Sequence, residues 1–254
     1  MIQIDNITFS FSEAKKPVFK QFSWDVDRSE AWAVLGPSGC GKTTLLYLLA
    51  GLLQPNNGKV IIDGDQIIRP RPKSGLILQD YGLLPWATVR QNCELGLRIR
   101  NMYGADGIHA PQDQPQHLFN ETWLNRLGLD EYANKFPGQL SGGQRQRVAI
   151  ARTLNLEPDL LLMDEPFSSL DVATRENLQE LTFSLVKEFG ITLVLVTHSI
   201  EEAVFFGRKI LLLKDPPNEK GVIIDNPDAG TVKFQNSPAF LSLCQTLRSQ
   251  LGVA

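Results

Sequence analysis

Between an apolar run and a helix-forming run, the chain carries a glycine-rich octapeptide, Gly36-Pro-Ser-Gly-Cys-Gly-Lys42-Thr43. The run before it, Ala31–Leu35, is typical of a buried strand, and the run after it, residues 44–50, is typical of a helix. Glycines let the backbone approach a phosphate closely, and the N-terminus of the following helix carries a partial positive charge. A strand, this loop pattern and a helix in that order predict a parallel α/β sheet that binds a phosphate group at one edge.

The last two residues of this loop have side chains suited to separate roles. The Lys42 ammonium is expected to contact the β- and γ-phosphates of a nucleotide, and the Thr43 hydroxyl is expected to bind Mg²⁺. The helix N-terminus is expected to lower the pKa of Cys40 somewhat, but the favoured interpretation of Cys40 is a small residue that fits the loop. Alkylation of its thiol is still expected to block nucleotide binding, and Cys40→Ala is expected to be resistant. The residues predicted to surround the nucleotide in this loop are Gly36, Pro37, Ser38, Gly39, Cys40, Gly41, Lys42, Thr43 and Thr44.

A second predicted strand ends in two acidic residues, Asp164 and Glu165. Open parallel sheets bind ligands beyond the carboxyl ends of their strands, which is where this pair lies. Neighbouring side chains of a strand point to opposite faces, so the two carboxylates can act separately. We expect Asp164 to hold the Mg²⁺ shell and Glu165 to polarise an attacking water. A solvated acidic strand end is the alternative interpretation.

A second glycine-rich element, Leu140-Ser-Gly-Gly-Gln144, lies far downstream and begins a helix of its own. Its backbone N–H groups form another cradle for an anion. One nucleotide site does not obviously need two cradles, whereas two copies of the chain facing head to tail would use both. With this element, the phosphate loop and the acidic pair, the chain resembles the ATP-binding cassette (ABC) ATPases. The resemblance runs from about residue 2 to residue 225.

This resemblance implies a fold and a set of ligands. The fold class is α/β, the P-loop NTPase fold of ABC ATPases, with a RecA-like core, an N-terminal antiparallel β subdomain and a helical subdomain. The ligands implied are ATP and Mg²⁺, bound by a homodimer of ATPase subunits. In that dimer, one copy's second cradle, formed by Ser141, Gly142, Gly143 and Gln144, closes over the γ-phosphate held by the other copy.

The resemblance also assigns three further site residues. Gln79 is similar to the family's Q-loop glutamine, which touches Mg²⁺ and water and senses a transmembrane partner. Asp171 ends a segment that resembles the D-loop crossing between subunits, and His198 resembles the switch histidine that contacts the γ-phosphate. The implied catalytic residues are therefore Lys42, Gln79, Glu165 and His198, and the implied metal ligands are Thr43, Gln79 and Asp164.

An aromatic residue upstream of the phosphate loop stacks on adenine in this family. The alternating run Ile7-Thr-Phe-Ser-Phe11 offers two candidates. Phe11 aligns best with the stacking position, and Phe9 is expected to pack inward. A core role for both rings is the alternative, because aromatic residues of amphipathic strands usually pack inside.

The length of 254 residues and the 43% hydrophobic content fit a single domain with a good core. We expect residues 1–86 and 156–225 to form the nucleotide-binding core and β subdomain. Residues 87–155 are the predicted helical signature subdomain, and 226–254 are a C-terminal tail. Within these parts, 222–224 and 232–234 are predicted strands, 238–251 is a predicted helix, and the Gly- and Pro-containing stretch 104–115 is a predicted loop.

The net charge of −3 argues against a nucleic-acid binder that relies on bulk electrostatics. No apolar run approaches the roughly 20 residues of a membrane helix, and the start of the chain has no signal-peptide pattern. The three cysteines have no metal spacing and indicate no disulfide framework. We therefore expect a cytoplasmic protein. The resemblance to ABC ATPases implies that it lies peripherally on the inner face of the cell membrane, with separate membrane subunits as its transport partners.

The segment after Gln79 indicates a branch of the family. Leu83-Leu-Pro-Trp86 and the following Thr-Val-Arg resemble the nitrate, sulfonate and taurine importer ATPases. In that group, the region from Gln79 to Trp86 would receive a helix of a transmembrane permease, and an extracytoplasmic substrate-binding protein would act indirectly. Packing of Trp86 into the core is the alternative. Ser168 and Ser199 depart from the usual Gly and Asp of the group without removing a catalytic group.

Two other classes of function remain open from the residues alone. An ABC ATPase with a non-transport role, such as DNA repair, usually carries a long coiled coil or a zinc module inside the cassette, and this chain resembles neither. A regulatory subunit that binds ATP without hydrolysing it is disfavoured because Glu165 and His198 are both present. The cargo and the direction of transport are not encoded in the nucleotide site.

Overall fold

The computed structural model describes residues 1–12, 16–103 and 121–252 of the chain. Its strands are β1 (Ile2–Phe9), β2 (Phe19–Val26), β3 (Ala31–Leu35), β4 (Asn57–Ile62), β5 (Asp65–Gln66), β6 (Ser74–Ile77), β7 (Leu160–Asp164), β8 (Thr192–Thr197), β9 (Lys209–Leu212) and β10 (Val222–Asp225). Its helices are α1 (Lys42–Leu49), α2 (Val89–Tyr103), α3 (Thr122–Arg126), α4 (Gly142–Leu154), α5 (Val172–Glu188), α6 (Ile200–Phe206), α7 (Val232–Gln235) and α8 (Pro238–Leu251).

The first sheet is antiparallel and has the strand order β2-β1-β4-β5. Its central strand, β1, alternates buried and exposed side chains along most of its length. That period of two places the apolar side chains Ile2, Ile4, Ile7 and Phe9 on one buried face. This sheet forms the antiparallel β layer of the fold.

The second sheet has the strand order β10-β9-β3-β8-β7-β6 and is parallel except at the β10 edge. Strands β3, β7 and β8 are buried over their whole length, as expected of a parallel sheet covered on both faces. Alternate residues of β3 show the two faces, because Ala33 and Leu35 belong to one hydrophobic cluster and Trp32 and Val34 to the other.

The helical layer is built around α4, which packs along α2 and against α5. Two backbone hydrogen bonds attach the start of α2 to the chain that leads into α4, from Val89 N to the Lys135 carbonyl at 2.8 Å and from Arg90 N to the Ala133 carbonyl at 3.0 Å. The predicted loop at 104–115 lies outside the described residues.

The C-terminal part differs from the sequence prediction at one element. Residues 232–234, predicted as a strand, belong to the short helix α7. The Thr231 hydroxyl accepts a hydrogen bond from Phe234 N at 3.2 Å, and this local contact favours a helical turn over an extended strand. Strand β10 and helix α8 are present at the predicted positions. Across the described ranges, no helix is both long enough and apolar enough to cross a membrane.

Candidate functional site

The candidate site lies along the carboxyl edge of the parallel sheet, where four neighbouring strands end together. Strands β3, β8, β7 and β6 are adjacent in that order. Their register pairs Leu35 with Thr197 and Asp164 with Val196, so the strands finish at the same level. The segments that leave this edge therefore converge; they start at Gly36 after β3, His198 after β8, Glu165 after β7 and Leu78-Gln79 after β6.

The phosphate loop is held in the backbone geometry that its glycines permit. Gly39 and Gly41 have φ values of 79° and 107°, in the left-handed region that favours glycine. Gly41 also precedes the first turn of α1, and a Cβ added there would lie 2.5 Å from Val18 Cγ1. The buried Lys42 ammonium donates to the Gly36 carbonyl at 2.8 Å and to the Pro37 carbonyl at 3.1 Å. The lysine is thus already placed across the mouth of the loop.

Asn218 supports this loop and is a residue that the sequence reasoning missed. Its side-chain amide donates to the Cys40 carbonyl at 2.8 Å, and its amide oxygen accepts from Lys214 N at 2.9 Å. Asn218 is buried, so its polar atoms need these partners. The only signal in the sequence is its position after Pro216-Pro217, which predicts a turn but not a contact with a loop so distant along the chain.

The expected shift in the pKa of the Cys40 thiol was wrong in direction. Burial raises the pKa of its thiol, and the nearby Lys42 offsets only part of that effect. The side chain is fully buried, and a Cβ added at Gly36 would lie 2.7 Å from its Sγ. The helix N-terminus does not dominate here because desolvation disfavours the thiolate more strongly than the local charges favour it. Cys40 is therefore a small buried residue of the loop rather than a reactive thiol.

Thr43 and Asp164 meet at the base of the loop. The Thr43 hydroxyl donates to Asp164 Oδ1 at 3.2 Å. Burial raises the pKa of the Asp164 carboxyl, and the hydrogen bond from Thr43 lowers it in part. Hydroxyl and carboxylate oxygens next to a phosphate loop are the donors that Mg²⁺ accepts, with phosphate oxygens and water completing the shell. The donor set therefore fits Mg²⁺.

Glu165 and His198 form the next pair along the edge. His198 Nδ1 lies 3.0 Å from Glu165 Oε2, and Gln79 Nε2 lies 3.5 Å from the same oxygen. Glu165 has a φ of 44°, a backbone conformation that is uncommon for a residue other than glycine. Such conformations cluster at functional sites because the surrounding structure must hold them. The side chains of Gln79 and His198, predicted from separate segments, thus meet at the Glu165 carboxylate.

The second glycine-rich cradle begins α4 through a reciprocal cap. Gln144 N donates to Ser141 Oγ at 3.3 Å, and Ser141 N donates to Gln144 Oε1 at 2.8 Å. The next residues pack on the start of α5, since a Cβ added at Gly143 would lie 2.4 Å from Thr174 Cγ2 and one at Gly142 would lie 3.2 Å from the Leu170 side chain. Ser141 itself is exposed, which leaves the helix N-terminus open to a ligand from outside the chain.

Asp171 begins α5 and fixes the end of the D-loop segment. Its carboxylate accepts a hydrogen bond from Thr174 N at 3.0 Å, which lowers its pKa. One residue pair links this segment to the Q-loop, because the Tyr81 hydroxyl lies 2.8 Å from Ser169 Oγ. The exposed Asp171 carboxylate is therefore held in place by its own helix.

Arg152 joins the signature helix to the Q-loop and was not singled out in the sequence. Its guanidinium donates to the carbonyls of Tyr81 and Gly82, both at 2.7 Å. Arg152 lies in the last turn of α4, whereas these carbonyls follow Gln79. A sequence pattern offers no signal for this contact, because a basic residue near a helix C-terminus is usually solvated.

Trp86 is exposed rather than packed into the core, with 74% of its surface accessible. The side chain of the buried Asn92 holds the turn in which Trp86 lies. Its side-chain amide donates to the carbonyls of Leu84 at 3.2 Å and Ala87 at 3.0 Å, and its amide oxygen accepts from Leu84 N at 2.8 Å. The alternative of a core Trp86 is therefore wrong for this chain.

Phe9 is buried and Phe11 is half exposed, as expected for the two candidates for adenine stacking. The rings contact each other edge to face, with centroids 5.0 Å apart. Phe9 pairs in register with Phe19, whose ring would lie 3.2 Å from a Cβ added at Gly41. The end of β1 is thus beside the phosphate loop, and Phe11 is the exposed ring there.

Known proteins resemble this chain over most of its length. The family described as ABC transporter matches residues 19–168. The taurine import ATP-binding protein TauB of Pseudomonas aeruginosa is 41% identical over 213 residues, covering 83% of this chain and 78% of that protein. The aliphatic sulfonates import ATP-binding protein SsuB of Bacillus cereus is 35% identical over 227 residues, covering 89% and 86%.

Solved structures agree with the fold. The dimeric ATP-binding cassette MJ0796 in a post-hydrolysis state, bound to ADP and phosphate, has a TM-score of 0.73 and 31% identity, covering 89% of this chain and 98% of that chain. The cbiO1 protein of Clostridium perfringens, part of the ABC transporter complex cbiONQ, has a TM-score of 0.73 at 24% identity, which shows the fold alone. The phosphate loop, the acidic strand end and the second cradle are therefore those of an ATP-binding cassette, and the chain belongs to the ABC transporter family.

Proposed function

We propose that this chain, an ABC-type ATPase, drives the import of a small anion or sulfonate-like solute by closing and opening as a head-to-tail homodimer. The observation that carries the proposal is the meeting of Lys42, the Thr43–Asp164 pair and the Glu165–His198 pair at one sheet edge. These groups are sufficient to bind triphosphate and to activate water beside it. The names of the taurine and sulfonate import relatives support the direction and the class of solute.

The binding step uses groups that already face the loop. Lys42 would exchange its two carbonyl partners, Gly36 and Pro37, for the β- and γ-phosphate oxygens of ATP. The backbone amides of the loop and the N-terminus of α1 would bind the remaining phosphate charge. Mg²⁺ would be held by Thr43 and Asp164, with Gln79 as a further ligand, and it would supply neutralisation of charge on the phosphate oxygens. Phe11 would stack on the adenine.

The hydrolytic step falls to the pair at the next strand ends. Glu165 would accept a proton from the attacking water, since its carboxylate lies at the carboxyl edge of the sheet beyond Asp164. His198, 3.0 Å from that carboxylate, would hold the γ-phosphate and keep Glu165 in line. Gln79 Nε2 lies 3.5 Å from the same carboxylate, so binding of nucleotide would change the position of the loop that follows Gln79.

The second cradle explains why the chain would act as a pair. Ser141, Gly142, Gly143 and Gln144 of one copy would cover the γ-phosphate bound by the other, with Asp171 crossing near the junction. ATP then stabilises the closed dimer, and hydrolysis removes the contacts that stabilise it. Such a shift requires a difference in affinity between the two states, which the γ-phosphate supplies.

The exposed Trp86 would be the contact with a transmembrane permease, because it follows the Q-loop that senses the site. An apolar side chain held out by Asn92 next to a nucleotide-sensing loop fits a groove that receives a partner helix. The protein would then lie on the cytoplasmic face of the membrane, with an extracytoplasmic binding protein acting through the permease.

The hydrolytic assignment is tested with Glu165→Gln. This variant should bind ATP, hydrolyse it at least about a hundredfold more slowly than wild type, and accumulate as a dimer. The molar mass in solution should double with ATP and Mg²⁺ but not with ADP. The double variant Lys42→Ala/Glu165→Gln is the matched control and should stay monomeric under the same conditions. A monomeric Glu165→Gln protein at saturating ATP would count against the dimer mechanism.

The transport assignment is tested by affinity purification of ATP-loaded Glu165→Gln protein from detergent-solubilised host membranes. We expect a multi-span membrane protein to co-purify, and we expect Trp86→Glu to abolish that recovery without preventing ATP-dependent dimerisation. Another exposed apolar residue, Met102 in α2, provides the control as Met102→Glu. Recovery of only soluble partners would leave the ATPase in place and favour a non-transport role.

A further inference from the structure

Glu202 is a buried carboxylate that the mechanism above does not use. It lies in the first turn of α6, yet only 5% of its surface is accessible. Its neighbour Glu201 is exposed and forms an ion pair with Arg248 of α8. Burying a carboxylate is unfavourable unless partners compensate for it, so the contacts of Glu202 require an explanation.

These contacts involve the two residues on either side of His198, Thr197 and Ser199. The side chains of Thr197 and Gln179 interact favourably with the charged Glu202 carboxylate, which lowers its pKa against the effect of burial. The Ser199 hydroxyl accepts a hydrogen bond from Glu202 N at 3.2 Å, and Ser199 N donates to Thr197 Oγ1 at 3.0 Å. Both residues that flank His198 in the sequence are therefore bonded into a network that includes Glu202.

The same network reaches the segment that begins α5. His198, Glu202 and Arg175 line one small cavity of about 90 Å³. Arg175 donates from its guanidinium to the Leu170 carbonyl at 2.6 Å and interacts favourably with the Glu202 charge. The carboxylate thus stands between the D-loop on one side and the histidine loop on the other.

We propose that Glu202 is a positioning residue for His198, holding its loop in register with α5 so that the imidazole meets Glu165. Only the expected effect on catalysis rests on the proposed function. The geometric part stands on the chain itself, because Glu202 is buried, its N–H donates to the Ser199 hydroxyl, and it lines one cavity with His198 and Arg175.

The ionisation of Glu202 provides a readout that packing alone would not give. Burial raises its pKa to about 7, and hydrogen bonds from Thr197 and Gln179 oppose that rise. The charged and titratable groups around it are Arg175 and Glu176 from α5, His198 from the preceding loop, and the Glu201–Arg248 pair of α6 and α8. The carboxylate can accept hydrogen bonds on both oxygens, whereas the protonated acid carries an O–H donor on one of them. We therefore expect kcat to fall as the pH decreases through about 7.

The test compares Glu202→Gln with the matched control Glu201→Gln, one residue along the same helix. We expect Glu202→Gln to lower kcat about tenfold, within the roughly hundredfold that a displacement of about 1 Å can cost, with little change in the KM for ATP. The loss of rate between pH 8 and pH 6 should flatten in this variant but persist in the control. Because the change acts through His198, it should have no further effect on a His198→Ala background.

A second measurement does not depend on hydrolysis. The chain has three histidines, so the His198 ring resonances can be identified by their loss in His198→Ala. In nucleotide-free protein, Glu202→Gln should shift these resonances, and Glu201→Gln should leave them in place. Unchanged His198 resonances, or an equal loss of kcat with and without His198, would overturn the positioning role. Absence of ATP hydrolysis in the wild-type chain would instead refute the proposed function and leave the resonance test standing.

Discussion

At the scale of single residues, the environment decides what each carboxylate can do. Asp164 is buried but close to Lys42 and bonded to Thr43, so its charged form is partly compensated. Glu202 is more deeply buried, and its pKa rises to about 7. The sequence shows identical side-chain chemistry at these positions and gives no measure of the surroundings that separate them.

The pKa of Glu202 makes a prediction about stability. It is about 7 in the folded chain, against an ordinary value of 4.5. Between these values the folded state binds more protons than the unfolded state, so the contribution of Glu202 to stability falls as the pH rises through this window. Glutamine has no such dependence. From about pH 5 to about pH 8, the free energy of unfolding of Glu202→Gln should therefore rise relative to wild type by about 2 kcal/mol.

Urea unfolding of wild type and Glu202→Gln at both pH values measures this difference. Glu201→Gln is again the control, since Glu201 is exposed and its difference from wild type should vary little over the same range. A difference for Glu202→Gln that is constant with pH, or that changes in the opposite direction, would show that the carboxyl is not protonated in the folded chain near neutrality.

At the scale of elements, the start of α4 is fitted to the start of α5. Gly143 has no room for a side chain because Thr174 Cγ2 occupies the space where its Cβ would lie. The second cradle thus needs glycine at this position for packing within the chain. The position of α4 relative to the D-loop depends on this contact, since Gly142 packs on Leu170 in the same way.

Gly143→Ala should therefore destabilise the chain by about 1–3 kcal/mol through overpacking. Thr174→Ser removes the offending methyl group and keeps the hydroxyl, so the double variant should recover most of the loss. Unfolding free energies of the four proteins form a double-mutant cycle that measures the coupling. Additive effects of the two changes would show that the contact does not set the spacing of α4 and α5.

The elements also show where sequence reasoning succeeds and where it stops. Strand β3 and helix α8 lie where the apolar runs predicted them, because burial on a fixed period leaves a local signal. Residues 232–234 were predicted as a strand because a run of three apolar or long side chains does not distinguish a strand from a helix. The contact that favours the helix is the hydrogen bond from Phe234 N to the Thr231 hydroxyl. Asn218 and Arg152 were missed because their partners are distant in the sequence.

At the scale of the whole molecule, side-chain hydrogen bonds among the described residues link α4, the Q-loop and the D-loop segment. Arg152 attaches α4 to the Q-loop, and Tyr81 attaches the Q-loop to the D-loop segment through Ser169. Arg175 of α5 in turn donates to the carbonyl of Leu170, which precedes that helix, and lies beside Glu202 of α6. These contacts connect the Q-loop, which precedes the exposed Trp86 turn, to the helix that begins at the second cradle.

Mixing two inactive chains tests the head-to-tail arrangement directly. Lys42→Ala removes the phosphate-loop lysine, and Ser141→Arg blocks the second cradle, so each variant alone should be inactive. A heterodimer of the two has one site in which both the loop and the cradle are intact. An equal mixture should therefore recover up to about a quarter of wild-type ATPase activity if the sites act independently. No recovery would contradict sites shared between two copies.

The exposure of Trp86 gives the protein an optical property. Trp24, Trp32 and Trp123 are at most 9% accessible, whereas Trp86 is 74% accessible. These are all four tryptophans of the chain. An aqueous quencher such as iodide should therefore extinguish the long-wavelength part of the emission first, and Trp86→Phe should remove that part. Shielding of this fluorescence would report occupation of the Trp86 turn in real time, with no attached dye.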